Sequence, residues 1–149
     1  MKYQGKVSLQ ATAETVWDVV LDIEQFADCM PGMQDLEKID DRTFEGGMSA
    51  KVGPVSGDIR FRSQIVDVDP HVSLTAHVEG EDSLTKSTMS SDITMTLAPD
   101  GTSTELTYVA EVNIKGRLGI VGDMILRATG VQVIDEFFNR LRKKVEVPA

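Results

Sequence analysis

The chain has 149 residues, of which 41% are hydrophobic and 26% charged, and its net charge at pH 7 is −9. This length fits one domain with a sizeable core, and the negative charge argues against nucleic-acid binding, which requires a basic surface. The single cysteine, Cys29, excludes an internal disulfide and fits a reducing compartment, so we expect a cytoplasmic protein.

The N-terminal part predicts one strand followed by two short helices. Tyr3, Gly5, Val7 and Leu9 alternate with polar residues, a pattern typical of a half-buried strand. Thr12 and Asp22 precede short apolar stretches and are predicted to cap two successive helices. The second helix is expected to end before Pro31-Gly32.

From Met33 onward, alternating apolar and polar residues predict five or six further strands. Tight-turn signals separate these strands at Asp40-Asp41, Gly53-Pro54, Asp69-Pro70, Gly80-Glu81-Asp82 and Asp100-Gly101. One apolar face and one polar face indicate an antiparallel meander.

A long helix is predicted from Gly116 to Val147. One apolar stripe runs along its length, and a second stripe in its first half contains Leu118, Val121, Ile125 and Ala128. The order of elements predicts an α+β fold in which a curved antiparallel sheet of six or seven strands surrounds a long C-terminal helix.

Alternate turns of a meander lie at the same end of the sheet. The breaks near Pro31, Gly53, Gly80 and Gly116 should therefore gather where the long helix begins, and this end is the candidate mouth of a pocket. Small residues on the inward faces fit either sheet curvature alone or curvature with a cavity. Both interpretations remain open at this point.

The candidate ligand-binding residues are mostly apolar, as in most small-molecule pockets. Tyr108, inside, and Arg117, at the rim, are the polar groups expected to orient a ligand. The full set is Phe26, Met30, Met48, Phe61, Met95, Tyr108, Arg117, Val121, Met124, Ile125 and Ala128.

Catalytic and metal-binding groups are not recognisable. His71 and His77 have the parity of the polar face, and Cys29 is better explained as a small buried residue than as a nucleophile. No His/Cys cluster has metal-ligand spacing, and the GxxGxxG of Gly116, Gly119 and Gly122 is not a phosphate loop. We therefore expect no catalytic residue, metal or cofactor.

Three segments stand in the order and spacing typical of the carbon monoxide dehydrogenase G-subunit family: Cys29-Met30-Pro31-Gly32, Lys51-Val52-Gly53-Pro54-Val55 and Gly116-Arg117-Leu118-Gly119. The stretch from Ala13 to Asp22 and the pair Phe137-Phe138 also match. The chain resembles this family over essentially its whole length. The family belongs to the START-like helix-grip superfamily, which contains hydrophobic-ligand carriers and a few cyclases.

The resemblance implies one START-like ligand-binding domain over residues 1–149, with a cavity between sheet and helix. It also implies association with a molybdenum hydroxylase of the carbon monoxide dehydrogenase type, in membrane recruitment, in maturation or in binding a respiratory quinone. Some members carry a C-terminal extension thought to tether them to a membrane. This sequence stops at Ala149, so such an extension is either lacking or was removed by truncation, and peripheral contact at the inner membrane face is left open.

The leading expectation is a non-enzymatic carrier of a hydrophobic ligand, such as an isoprenoid quinone or a similar lipid. One alternative is an assembly or membrane-recruitment factor that acts through its surface. The other is a cyclase-like enzyme, for which Tyr108 is the main titratable group expected inside the cavity.

Overall fold

The computed structural model describes residues 1–52 and 55–146. In chain order its elements are β1 (Lys2–Leu9), α1 (Ala13–Leu21), α2 (Ile23–Cys29), β2 (Met33–Asp40), β3 (Thr43–Val52), β4 (Val55–Asp69), β5 (Ser73–Asp82), β6 (Thr88–Asp100), β7 (Ser103–Lys115), a short 3₁₀ turn (Arg117–Val121) and α3 (Asp123–Val145).

The strands form one sheet with the order β1-β7-β6-β5-β4-β3-β2, and every neighbouring pair is antiparallel. Helix α3 contacts β1 along one side and β3 along the other. Because four strands separate β1 from β3 in the sheet, the sheet must curve around the helix to make both contacts. The predicted α+β arrangement is confirmed.

Both predicted helix caps are present. The Thr12 hydroxyl accepts a hydrogen bond from the Thr15 backbone N–H at 3.2 Å, and an Asp22 carboxylate oxygen accepts one from Gln25 N–H at 3.0 Å. Each cap satisfies a backbone donor that the first turn of a helix leaves without a partner. The local sequence thus determines where α1 and α2 begin.

One predicted turn was misplaced. Gly80-Glu81-Asp82 forms the end of β5, and the turn follows at residues 83–87. Gly80 serves close packing, because a Cβ there would lie 2.9 Å from Ile59 Cγ2. The predicted turn at Gly53-Pro54 lies outside the described residues.

The long helix begins later than predicted. Gly116 and Gly122 have φ angles of 107° and 98°, which lie in the left-handed region that glycine tolerates, and they separate the 3₁₀ turn from α3. The helix therefore starts at Asp123 and ends at Val145, while the predicted end, Val147, lies outside the described residues. This break changes which residues of the helix face the sheet.

The packed core occupies one half of the molecule. Leu9, Leu106 and Leu141 are at most 1% exposed and belong to a cluster formed by α1, the sheet and the C-terminal half of α3. Cys29 is also buried in this cluster, and burial raises the pKa of its thiol. As expected, it occupies the place of a small apolar residue.

Replacing Leu141 by Ala should lower the free energy of unfolding by about 2–5 kcal/mol, because it leaves a cavity in the packed core. Urea denaturation followed by circular dichroism measures this loss. Val131→Ala on the same helix is the control, since Val131 is 44% exposed, and it should change stability by less than about 0.5 kcal/mol. Equal losses for the two variants would contradict the assigned core.

On the outer face of the sheet, His77 lies between two carboxylates. Its Nδ1 is 2.7 Å from Asp92 Oδ1 and its Nε2 is 3.2 Å from Glu79 Oε1. The hydrogen bond to Asp92, followed by that to Glu79, raises the pKa of His77 above its ordinary value. The predicted surface position is confirmed, with two acidic partners.

This raised pKa predicts a pH dependence of stability. The contribution of His77 should be fully present below its ordinary pKa of about 6.5 and be lost as pH rises through the higher folded-state pKa. Asp92→Asn should lower the pKa measured by NMR titration, whereas Asp100→Asn, at the far end of β6, should leave it unchanged. A wild-type His77 pKa at or below the ordinary value would refute this prediction.

Candidate ligand-binding groove

The concave face of the sheet is packed at one end and open at the other. At the packed end, Leu9, Leu97 and Leu106 are at most 3% exposed. Toward the opposite end the apolar residues on the same face remain half-buried: Ile59, Phe61, Val78, Met89, Ile93, Ala110, Val112 and Ile114. We call this half-buried apolar surface on the concave face of the sheet the chamber.

The antiparallel register identifies the open end. The open end of the sheet carries the α2–β2 loop at Pro31, the turn at residues 83–87 and the 3₁₀ turn at 117–121. Two of these segments meet directly, because the Leu118 backbone N–H donates to Ser87 Oγ at 2.9 Å. The predicted gathering of breaks near the start of α3 is confirmed for the described residues, with the turn of residues 83–87 in place of Gly80.

Helix α3 is held tightly against β1. A Cβ on Gly130 would lie 2.4 Å from the Tyr3 hydroxyl oxygen, so only glycine permits this approach. The same Tyr3 hydroxyl donates a hydrogen bond to the Leu126 carbonyl at 3.0 Å, and Arg127 Nη1 donates to the Lys2 carbonyl at 3.2 Å. On its other side the helix also approaches β3, but the side chains there leave a gap.

That gap is a groove of about 480 Å³ between β3 and the middle of α3, which we call the α3–β3 groove. Its volume is in the range typical of small-molecule sites. Its apolar residues are Pro31, Met48, Ala50 and Val133. Its polar residues are Ser49, Lys51, Thr129, Gln132, Asp135, Glu136 and Asn139.

Aromatic side chains gather where α2 and α3 come together. The ring centroids of Tyr108 and Phe138 are 5.2 Å apart, those of Phe137 and Phe138 are 5.3 Å apart, and those of Phe26 and Phe137 are 5.6 Å apart. Burial, followed by the negative charge of Asp135, raises the pKa of Tyr108. Its phenol is therefore neutral at pH 7.

The structure places the predicted sheet-side and loop-side residues in four different environments. Met48 lines the α3–β3 groove, and Phe61 is half-buried on the chamber face. Phe26 and Tyr108 belong to the aromatic group, with Met30 half-buried at the end of α2. The remaining residue of this set is part of the packed core, since Met95 is 8% exposed.

The predicted helix-side residues are not brought into the groove. Arg117, Ile125 and Ala128 are exposed, Met124 is 86% exposed, and Val121 packs beside Leu118 and Leu126. The predicted stripes run without interruption through Gly116–Gly122, whereas the helix starts only at Asp123. In the first half of the predicted helix their phase therefore does not match the inner face, whereas Ile134, Phe138 and Leu141 of the lengthwise stripe do pack in the core. Binding by the helix-side residues stays a prediction.

Sequence reasoning missed the helix residues that do line the groove, namely Thr129, Gln132, Val133, Asp135, Glu136 and Asn139. A usable signal was present. Counting back from Phe138 and Leu141 in steps of three and four leads to Ile134, Gly130 and Leu126, the inner face that the structure shows. The groove residues flank that face.

Other chemistry has little support at this site. Among residues 1–52 and 55–146, no three His, Cys, Asp or Glu side chains are grouped so that they could bind a metal ion. His71 is not among the residues that line the groove, and its ring centroid lies 5.9 Å from that of Trp17. Within the same residues, none of the helices combines the length and the apolar character that crossing a bilayer would demand.

Several solved structures share this fold. They include a conserved protein from Geobacillus kaustophilus (22% identity, TM-score 0.91, 98% of this chain and 95% of that chain). A START superfamily protein from Mycobacterium smegmatis (15%, 0.75, 97% and 97%) and the Zhui aromatase/cyclase from Streptomyces sp. R1128 (16%, 0.73, 98% and 93%) are also similar. At these identities the likeness shows the fold alone, which is START-like.

Among curated proteins, no sequence matches this chain. The carbon monoxide dehydrogenase G-subunit family (CoxG), by contrast, matches residues 5–146. This match covers nearly the whole sequence. The chain therefore belongs to the CoxG family of carbon monoxide dehydrogenase subunits.

Proposed function

We propose that this protein is a non-enzymatic carrier of a hydrophobic ligand, accessory to a molybdenum hydroxylase of the carbon monoxide dehydrogenase type. The observation that carries the proposal is the half-open apolar chamber, with the α3–β3 groove beside it. Membership of the family and the START-like fold support a ligand-binding accessory role.

The chamber favours a ligand with a long apolar part. Each 100 Å² of apolar surface that such a tail removes from water stabilises the complex by about 2.5 kcal/mol before the costs of binding. Aliphatic and aromatic residues, among them Ile59, Phe61 and Ile93, offer this surface without requiring any hydrogen bond from the tail. An isoprenoid chain meets these conditions.

The polar rim favours an uncharged head group. The side-chain amides of Gln132 and Asn139 offer hydrogen-bond donors that suit a carbonyl oxygen. Asp135 and Glu136 oppose an anionic head, although the Glu136 carboxylate is itself paired with Arg140 at 2.8 Å. We therefore propose an isoprenoid quinone, which would take electrons from the partner enzyme.

We further propose that the chain itself does no catalysis. Tyr108 lies beside the chamber on β7, and burial keeps its phenol neutral. Its ring packs on Phe138. A cyclase-like reaction would require a group to accept or donate protons beside the ligand, and Tyr108 in this setting is a weak acid.

The first test is identification of the ligand. Protein purified without detergent is extracted with organic solvent, and the extract is analysed by mass spectrometry. We expect an isoprenoid quinone or another uncharged lipid at a substantial fraction of one molecule per protein. An empty protein that also fails to bind added ubiquinone-2 in calorimetry would refute the carrier proposal.

The second test fills the groove. Ala50→Phe places a ring between β3 and α3 and should weaken binding of ubiquinone-2 at least tenfold, because it occupies the space at the groove. Ala98→Phe makes the same change at an exposed position of β6 and should leave affinity unchanged. Unaltered binding by the Ala50 variant, with its fold intact, would place the ligand elsewhere.

A second candidate function is assembly or membrane recruitment of the enzyme through the protein surface. It is favoured by apolar side chains in solvent at the open end, since Leu84 is 71% and Ile120 is 81% exposed. Pull-down of a molybdenum hydroxylase that is unaffected by Ala50→Phe, from a protein carrying no lipid, would support this function over the carrier role.

A further inference from the structure

The 3₁₀ turn of residues 117–121 is a separate unit of the backbone. Gly116 and Gly122 bound it with φ angles of 107° and 98°. At Gly122 no atom outside its neighbours lies within 4 Å of the position of a Cβ, so the backbone there is not confined by packing. Such glycine positions can absorb the dihedral changes of a hinge.

A directed chain of hydrogen bonds fastens this turn to the β5–β6 turn. Leu118 N–H donates to Ser87 Oγ at 2.9 Å, and the Ser87 and Thr85 hydroxyl oxygens are 2.7 Å apart. Thr85 Oγ1 donates to Asp82 Oδ2 at 2.6 Å, so the Ser87 proton is free to point to Thr85. Ser87 Oγ is thereby held as the acceptor for Leu118, and we call this contact the latch.

Asp82 anchors the latch. It is 1% exposed and accepts further hydrogen bonds from the backbone N–H groups of Thr85 at 2.8 Å and Asp58 at 2.7 Å. Burial acts to raise the pKa of Asp82, but the hydrogen bonds from Thr85 and Asp58 outweigh it and hold the pKa below its ordinary value. The carboxylate therefore remains ionised at neutral pH and keeps both turns in register.

While the hydrogen bond between Leu118 and Ser87 is intact, two large apolar side chains remain in water. Ile120, on the turn, is 81% exposed, and Met124, in the first turn of α3, is 86% exposed. They lie on opposite sides of the Gly122 hinge, at the open end of the chamber, whose apolar residues are also half-exposed. Two incompletely buried apolar surfaces thus lie at the same end of the molecule, joined by a hinge.

We propose that the 117–121 turn is a lid, latched by Ser87 in the ligand-free protein, which closes over the chamber when a hydrophobic ligand enters. Closing breaks the latch and brings Ile120 inward against the ligand, so that the lid and the ligand together cover Met124, which keeps its place on α3. This inference rests on the proposed carrier function. The ligand must favour the closed state by more than the latch and the packing of Leu118, which is 4% exposed, favour the open one, and the newly buried apolar area supplies that difference.

Thiol labelling tests the movement. Met124→Cys introduces a thiol at an exposed position, while the native Cys29 is 1% exposed and gives little background. Reaction with 5,5′-dithiobis(2-nitrobenzoate) is timed with and without saturating N-phenyl-1-naphthylamine, an uncharged apolar fluorescent probe. We expect the probe to slow the reaction at least tenfold. Val66→Cys, 53% exposed at the other end of β4, should react at the same rate in both conditions.

The outcomes separate the two proposals. If wild-type protein does not enhance probe fluorescence, both the carrier function and the lid are refuted. If the probe binds but Met124→Cys reacts at an unchanged rate, the lid alone is refuted. Slowing of both thiols would indicate a general loss of reagent access and would also count against the lid.

Two sets of variants test the energetics. Ile120→Ser with Met124→Ser should leave the thermal midpoint of the ligand-free protein unchanged but weaken probe binding about tenfold, because both side chains are buried only on closing. Ser87→Ala should tighten binding about three- to tenfold, because it removes the hydrogen bond that favours the open state. Weaker binding by a folded Ser87 variant would overturn the latch, and if this variant unfolds, the thiol test decides the question alone.

Discussion

The contact between α3 and β1 is the constraint on which the open chamber depends. Gly130 lies directly under the Tyr3 hydroxyl, and that hydroxyl closes a hydrogen bond to the Leu126 carbonyl. A side chain larger than hydrogen at position 130 would push the helix away from β1 and toward β3. This close contact fixes the helix beside β1, and the gap that remains lies along β3, where Met48 and Ala50 face the flank of the helix.

Stability and binding are assigned to different halves of the same sheet. The far half buries Leu9, Leu97 and Leu106 beneath α1 and the end of α3, and this packing supplies most of the hydrophobic stabilisation. The chamber half leaves its apolar residues partly in water, so it contributes less to folding. A ligand that covers these residues recovers the missing burial, and for this reason an unfilled half is tolerable in a carrier.

The sequence was sufficient for the strands, the caps of α1 and α2, and the end of the sheet where the breaks gather. These features depend on short-range periodicity and on single residues such as Thr12 and Asp22. The helix wall of the site could not be read in the same way, because Gly116 and Gly122 interrupt the helix at points that periodicity alone does not reveal. The structural role of Gly130 could not be predicted from the sequence either, because it depends on contact with Tyr3, which lies 127 positions earlier in the chain.

The exposure of residues whose spacing predicted burial also has a physical explanation. Ile120 and Met124 have the spacing of buried helix residues, yet the positive φ at Gly122 turns them into solvent. Exposing such side chains is unfavourable, and the latch at Ser87 holds the turn in place despite that cost. A pattern that fits burial and a conformation that leaves the same residues exposed are reconciled if the segment has two positions. The apolar spacing then describes the closed one and the glycine dihedrals describe the open one.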